Sequence, residues 1–374
     1  MAGIYFHIPF CKQACHYCDF HFSTSLKHKT PVLEAMHTEL EKRAEFLKGM
    51  PIETVYFGGG TPSILSADEI DGFIQCIANV YNLQEDAEIT LEANPDDLNP
   101  VHIQALKKTA VNRFSIGIQS FFDEDLLWMN RAHNGTEAKT VIPRIQDAGF
   151  ENITADLIYG YPLLTDSKWK DNIETLTSMG IPHLSAYSMT VESKTALHSM
   201  IRKGKQHPMD DQQSARQFVY LMEYMERADY LHYEISNWAK PFHEARHNSN
   251  YWKGVPYLGI GPSAHSYKHS LRQSNIANNA LYLKGVESGE WAIEQEVLTK
   301  QDQLHEYLMT SLRTHWGIEI NWIATHINPE AAQRISGKLE QQVKSGHVID
   351  KKDRYVLSRS GKLLADHITT LLFD

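Results

Sequence analysis

Cys11, Cys15 and Cys18 stand in the run HIPFCKQACHYCDF at the spacing C-x3-C-x2-C, which places three of the chain's four cysteines on one short loop. Clustered cysteines in a reducing compartment hold metal more often than they form disulfides. A [4Fe–4S] cluster normally takes four cysteine ligands, one for each iron, so three cysteines leave one iron open to a ligand that is not protein. A closed structural zinc site is the competing chemistry, with His7, His16 or His21 able to supply the fourth donor. Zinc knuckles usually come as two matched ligand pairs far apart in sequence, and no second pair exists here. The remaining cysteine, Cys76 in IDGFIQCIANVY, sits in a helical pattern and reads as a buried apolar side chain.

The elements that position this loop follow from periodicity. Short β-rich runs at Gly3–Ile8, Thr54–Phe57, Glu88–Glu92, Arg113–Ile118, Asn152–Ile158 and His183–Ser188 alternate with helical patterns. The helices are expected at Pro31–Lys48, Ala67–Tyr81, Pro100–Thr109, Thr136–Ala148 and Lys168–Met179, most of them opened by Pro, Ser, Asp or Thr. Such alternation means an α/β fold of parallel strands joined by crossovers, and six units, fewer than a closed eight-strand barrel needs, imply a partial (βα)6 barrel. Active sites of these barrels collect at the carboxyl ends of the strands. The cysteine loop follows the first strand and Gly58, Gly59 and Gly60 follow the second. Glu92 closes the third, Gln119 the fourth, and Asp156 lies in the fifth. Glycine lets backbone N–H groups reach a ligand, although such a run serves a plain tight turn as readily. A shared pocket explains polar residues at every strand end.

Beyond Tyr187 the alternation loosens. A long amphipathic helix over Asp210–Arg227 precedes HYEISNWA and the Gly/Pro-rich passage GVPYLGIGPSAHSY. Helices are then expected at Asp302–Thr314, Asn321–His326 and Pro329–Ser345, followed by the alternating VIDKKDRYVLS and a last helix. Three helices and a two-strand ribbon resemble a winged helix, making the end of the chain a smaller α+β unit. A winged helix usually binds DNA, but the acidic balance here favours a packing or partner-docking role.

Composition narrows the function classes. Hydrophobic residues are 42% of 374, enough for a substantial core. The net charge of −10 and a pI near 6.0 argue against a nucleic-acid surface, which needs basic patches. MAGIYFHIPF lacks the basic leader and cleavage site of a signal peptide, and no run approaches the ~18 apolar residues of a membrane helix. The expectation is a reduced, cytoplasmic protein with no transmembrane segment and no nucleic-acid partner.

The three-cysteine loop followed by FGGGTP on the next strand resembles the radical S-adenosylmethionine (SAM) superfamily. The run from Tyr5 through His7-Ile8-Pro9-Phe10-Cys11, then Tyr17-Cys18-Asp19-Phe20, is similar to one branch of it. That branch holds the oxygen-independent coproporphyrinogen III oxidases and the haem chaperones of the HemW type. FGGGTPS, EANPDD, the run at Gln119, Arg131 and the run at Asp156 fit the same branch in the same order. The resemblance implies that Cys11, Cys15 and Cys18 ligate a [4Fe–4S] cluster whose open iron is chelated by SAM. It implies that Tyr5, Gly59, Gly60 and Thr61 line the SAM pocket, with Glu92, Gln119, Arg131 and Asp156 holding its polar groups. Carboxylates suit ammonium and ribose hydroxyl donors, and arginine suits a carboxylate. Asp96 and Asp97 are read as stabilising the following turn and helix start. The division it suggests is 1–235 for the core domain and 236–374 for the C-terminal domain.

Two departures separate the chain from the oxidases. Their further cysteine, two residues after the third, is Phe20 here, and the motif begins at Tyr5 without the oxidase's N-terminal extension. The HNxxYW run His247–Trp252 points to the haem chaperones, where it is implicated in haem binding, with His247 as the ligand and its aromatic neighbours packing the porphyrin. The other reading of that run is structural: His247 and Asn248 bonding backbone groups while Tyr251 and Trp252 fill core. The expectation is a chaperone that binds haem and passes it to acceptor haemoproteins, with a homodimer also suggested. Porphyrinogen oxidation is the alternative. No catalytic residue is assigned.

Overall fold

The computed structural model describes residues 1–291 and 293–373. Six strands pair in parallel in their order along the chain: β1 (Ala2–Ile8), β2 (Pro51–Gly59), β3 (Asn82–Ala93), β4 (Arg113–Gln119), β5 (Ile153–Tyr159) and β6 (His183–Ser188). Each covers a strand expected from sequence. One set of alternating residues, among them Ile4, Phe6, Val55, Phe57, Leu91, Ile116 and Leu157, enters the large apolar core, and β4 buries every residue except Gln119 at its end. The covering helices are α1 (Lys29–Lys42), α2 (Ala67–Val80), α3 (Pro100–Leu106), α4 (Asp123–Trp128), α5 (Gly135–Asp147) and α6 (Asp166–Ser178). Side-chain caps fix several starts: Ser66 with Glu69 and Asn134 with Glu137 form capping boxes. The helix expected over Pro31–Lys48 stops at Lys42, and one 3-10 turn, Ala44–Leu47, follows it. The six-residue α4 is too short for periodicity to reveal.

The next segments are α7 (Ala196–Arg202), α8 (Asp211–Arg227), β7 (Leu231–Glu234), β8 (Asn237–Ala239) and α9 (Arg246–Trp252). After them come β9 (Tyr257–Ile260), β10 (His265–Lys268), β11 (Leu271–Asn275), α10 (Asn279–Ser288) and β12 (Ile293–Val297). The hairpin β7–β8 joins β6 antiparallel. Strand β9 joins β1 in parallel, and β10, β11 and β12 continue outward antiparallel. Among the described residues the order is β12-β11-β10-β9-β1-β2-β3-β4-β5-β6-β8-β7, an open sheet rather than a closed barrel.

The remainder comprises α11 (Lys300–Leu312), α12 (Ile320–His326), α13 (Pro329–Lys344), the hairpin β13 (Val348–Asp350) with β14 (Tyr355–Leu357), α14 (Arg359–Lys362) and α15 (Ala365–Leu372). This is the helix–helix–helix–ribbon order read from sequence. Its apolar cluster, built on Leu304, Leu308, Ile323, Ile335, Leu339 and Ile368, is separate from the large one that runs from Ala2 to Val286. The expected division lies between 235 and 236. It falls in the turn between β7 and β8, inside the sheet that the short strands β8 to β12 extend. The second cluster begins only at Leu304.

Candidate metal and cofactor site

The carboxyl ends of β1 to β6 enclose a cleft of about 470 Å³. Cys11, Cys15 and Cys18 line it together with Gly59, Gly60, Thr61, Glu92, Gln119, Arg131 and Asp156. Ten residues from five strand ends and their loops thus meet, as the strand-end argument requires.

The cysteine loop is held at its base by backbone hydrogen bonds. Cys11 N–H donates to Ser23 O at 3.1 Å and Ser23 N–H to Pro9 O at 2.9 Å. From β2, Gly60 N–H donates to Ile8 O at 2.9 Å and Thr61 N–H to Phe10 O at 2.8 Å. These contacts explain the glycines. At Gly59, φ is +99° and a Cβ would lie 2.7 Å from the His7 ring. At Gly60 a Cβ would lie 2.6 Å from Phe10 O. Lys12 ties the loop to the end of β3 through Asp96, at 2.9 Å, and Asp97, whose carboxylate also accepts from the Ser63 hydroxyl at 2.6 Å. Asp96 and Asp97, in the turn after β3, thus tie that turn to the cysteine loop.

All three thiols are free, Cys11 buried and the others half-buried. Burial pushes Cys11 up to about 11 and Cys18 up to about 12. Thiols so enclosed ionise readily only beside a metal cation that replaces lost hydration. None of the histidines weighed for zinc lines the cleft. His7 bonds through Nε2 to His21 O at 2.8 Å, His16 through Nδ1 to Trp128 O at 2.9 Å, and His21 through Nε2 to Asn279 Oδ1 at 2.7 Å. The donor set that remains is three sulfurs, which fits a cluster with one open iron.

The opposite wall is polar and incompletely satisfied. Arg131 donates through Nη2 to Asn94 Oδ1 at 2.6 Å and Gly117 O at 3.0 Å, and through Nη1 to Cys15 Sγ and the Tyr17 hydroxyl, both at 3.4 Å. Its Nε and the Gln119 Oε1 are buried with no protein partner. Gln119 also adopts φ +64°, the left-handed region that a non-glycine residue occupies only when its surroundings impose it. Orphaned polar atoms and a strained backbone in one cleft indicate a polar ligand there. Glu92 accepts from the Tyr56 hydroxyl at 2.7 Å, and burial, with Asp156 nearby, pushes its carboxyl up to about 7. Burial likewise pushes Asp156 up to about 6.

Two expected site residues lie elsewhere. Tyr5 stacks against Tyr56 with ring centroids 6.1 Å apart and lines a second cleft of about 1360 Å³, not the cysteine cleft. His247 is 2% exposed. Its Nδ1 is 2.8 Å from Thr54 Oγ1 and its Nε2 is 2.8 Å from the Tyr251 hydroxyl, while its backbone N–H donates to Glu88 Oε1 at 2.9 Å. Burial pushes its pKa down to about 3. Both ring nitrogens are thus engaged with neighbouring side chains, and the ring packs α9 against β2. The next residue, Asn248, does line the cysteine cleft. Sequence reasoning also passed over Tyr17, Asn94 and Tyr187, which line it as well. Asn94 follows Glu92 at the end of β3 and Tyr17 lies between two cysteines, so the strand-end rule carried further would have found both.

Comparison with known proteins follows the same lines. The Radical SAM superfamily pattern matches residues 5–176. The haem chaperone HemW of Lactococcus lactis is 36% identical over 314 residues, 84% of this chain and 82% of that protein. The haem chaperone HemW of Bacillus subtilis is 31% identical over 371 residues, 98% of each chain. The coproporphyrinogen III oxidase HemN of Escherichia coli, described as a radical SAM enzyme, has a TM-score of 0.86 at 21% identity. That alignment spans 99% of this chain and 89% of HemN, a likeness of fold. With its length matched by HemW proteins and its strand ends arranged around three free thiols, the chain belongs to the HemW family of the radical SAM superfamily.

Proposed function

We propose that this protein is a haem chaperone that carries a [4Fe–4S] cluster on Cys11, Cys15 and Cys18, with SAM on the iron they leave open, and delivers haem to acceptor haemoproteins of the cytoplasm. The observation that carries the cofactor reading is the single cleft in which three free thiols face the orphaned Arg131 Nε and Gln119 Oε1. In this reading Arg131 pairs with the methionyl carboxylate, Glu92 accepts from donors of SAM, and Asp156 accepts from ribose hydroxyls. Gly59, Gly60 and Thr61 bring backbone close to the methionyl end. When bound, cluster and SAM together supply one-electron chemistry, while the protein positions them and excludes water. The haem reading is supported by the names of the relatives matched along the chain.

A second reading, oxygen-independent oxidation of coproporphyrinogen III, has the fold shared with HemN in its favour and Phe20 against it. The test is anaerobic reconstitution with iron and sulfide, followed by two assays on the same material. The chaperone reading expects saturable haem binding, transfer to an apo-haemoprotein and no protoporphyrin from coproporphyrinogen with SAM and reductant. Rapid protoporphyrin formation without haem transfer would establish the oxidase instead.

A further inference from the structure

Gly58, unlike Gly59 and Gly60 after it, does not line the cysteine cleft. A Cβ there would lie 2.9 Å from the Tyr56 ring, 3.0 Å from the Tyr5 ring and 3.2 Å from the Glu92 carboxyl carbon. Sheet register brings these side chains to one spot. Tyr56 of β2 pairs with Tyr5 of β1 on one side and with Thr90 of β3 on the other. Residues two apart on a strand share a face, so Gly58 and Glu92 lie one step further along that face, towards the carboxyl ends. With no side chain at 58, the Tyr56 ring extends over that position and reaches the strand end. Its hydroxyl donates to Glu92 Oε1 at 2.7 Å, the one hydrogen bond it makes among the described residues. Tyr56 is buried and itself lines the cleft, and its ring packs on those of Tyr5 and His247, with centroids 6.1 and 5.1 Å away.

We propose that Tyr56 is a positioning residue for SAM, holding the Glu92 carboxylate in the orientation that meets the ligand's donors. The inference rests on the SAM reading above and adds a residue to it. The last torsion of a glutamate side chain is broad, so a fixed donor at one oxygen is what selects a single orientation. Glu92 is bonded by the Tyr56 hydroxyl and the Gly59 backbone, and among the described residues it forms no ion pair. Asp156 of β5 and the phenols of Tyr5, Tyr187 and Tyr251 lie within electrostatic reach of it. Among the described residues only Tyr56 donates a side-chain hydrogen to it. Burial raises the Tyr56 phenol well above its ordinary pKa, so it stays protonated and remains a donor. Gly58 has a role of its own in this arrangement: it leaves the space through which the ring reaches the carboxylate.

The test is a double-mutant cycle on the full chain after anaerobic reconstitution, with SAM binding measured by equilibrium dialysis. Tyr56→Phe keeps the ring and its packing and removes only the hydroxyl. It is expected to weaken SAM binding about tenfold, as loss of a hydrogen bond to a charged group does, with iron content unchanged. Glu92→Ala should weaken binding at least as much. In the Glu92→Ala background, Tyr56→Phe should change the affinity by less than about twofold, because the group it acts through is gone. Tyr81, whose hydroxyl donates to Leu40 O at 2.6 Å outside the cleft, provides the reference. Tyr81→Phe should leave SAM affinity unchanged. Equal losses from Tyr56→Phe in the two backgrounds would overturn the positioning role, as would an unchanged affinity in Tyr56→Phe or an equal loss in Tyr81→Phe. Absence of saturable SAM binding by wild type instead overturns the SAM reading itself.

Discussion

At the scale of single residues, the cleft holds groups that folding alone would not select. A carboxyl whose folded pKa exceeds its unfolded value binds its proton more tightly when native, so stability falls as pH rises between the two values. Glu92, pushed up to about 7 from an ordinary value of 4.5, is such a group. Glu92→Gln keeps an acceptor for Tyr56 and removes the buried charge. On the cofactor-free chain it should be close to neutral below pH 4.5 and stabilising by about 3 kcal/mol above pH 7, as thermal melts across that range would show. A variant equally stable relative to wild type at both ends would mean that the carboxyl is well solvated. Cys15→Ser, by contrast, should change stability by less than about 1 kcal/mol because Cys15 is only half-buried. It should still abolish the iron and acid-labile sulfide retained after anaerobic reconstitution, both read by elemental and sulfide analysis.

At the scale of elements, the cysteine loop depends on how closely β1 and the end of β2 approach. Gly60 sits where a Cβ would meet the carbonyls of Ile8 and Phe10 at 2.7 and 2.6 Å, atoms that cannot turn aside as a flexible side chain would. Gly60→Ala should therefore cost about 2–3 kcal/mol and lower iron loading, as denaturant midpoints and iron content would report. Gly337 provides the contrast. It is exposed inside α13, and a Cβ there meets nothing within 4 Å. Gly337→Ala should stabilise by about 0.5–1 kcal/mol without touching iron content, since helix propensity is then the only change.

At the scale of the whole molecule, two apolar clusters meet at a polar seam. Ile235 packs against both. Beside it, Arg359 donates to Glu223 at 3.3 Å and to Glu226, and Lys362 Nζ lies 2.7 Å from His232 Nδ1. Burial, with Arg359 adding to it, pushes Lys362 down to about 8 from an ordinary 10.5. A buried amine with a lowered pKa costs stability while it is charged, and that cost fades as pH rises from 8 towards 10.5. Replacing Lys362 by Met removes the titration. The stability of Lys362→Met relative to wild type should then fall by about 2 kcal/mol between pH 7.5 and pH 10, whatever its absolute value. A pH-independent difference would mean that the seam admits water at this lysine. Among the described residues no helix is long and apolar enough to cross a membrane.

The six parallel strands, most of their helices and the loop with its three thiols are readable without the fold, because each is written in local periodicity or in spacing along a few residues. Gly59, Gly60, Glu92, Gln119 and Asp156 were legible for a related reason, whereas Arg131, which follows α4, came only from the family resemblance. In a parallel sheet, position at a strand's carboxyl end already says which residues will meet. Long-range burial accounts for what local pattern does not. Strand β9 pairs with β1 across some 250 residues of chain, a contact no local pattern encodes. The surroundings of His247 are of the same kind: Thr54 and Tyr251 engage its two ring nitrogens, and a hydrogen-bond partner is a property of the folded neighbourhood and not of the residue.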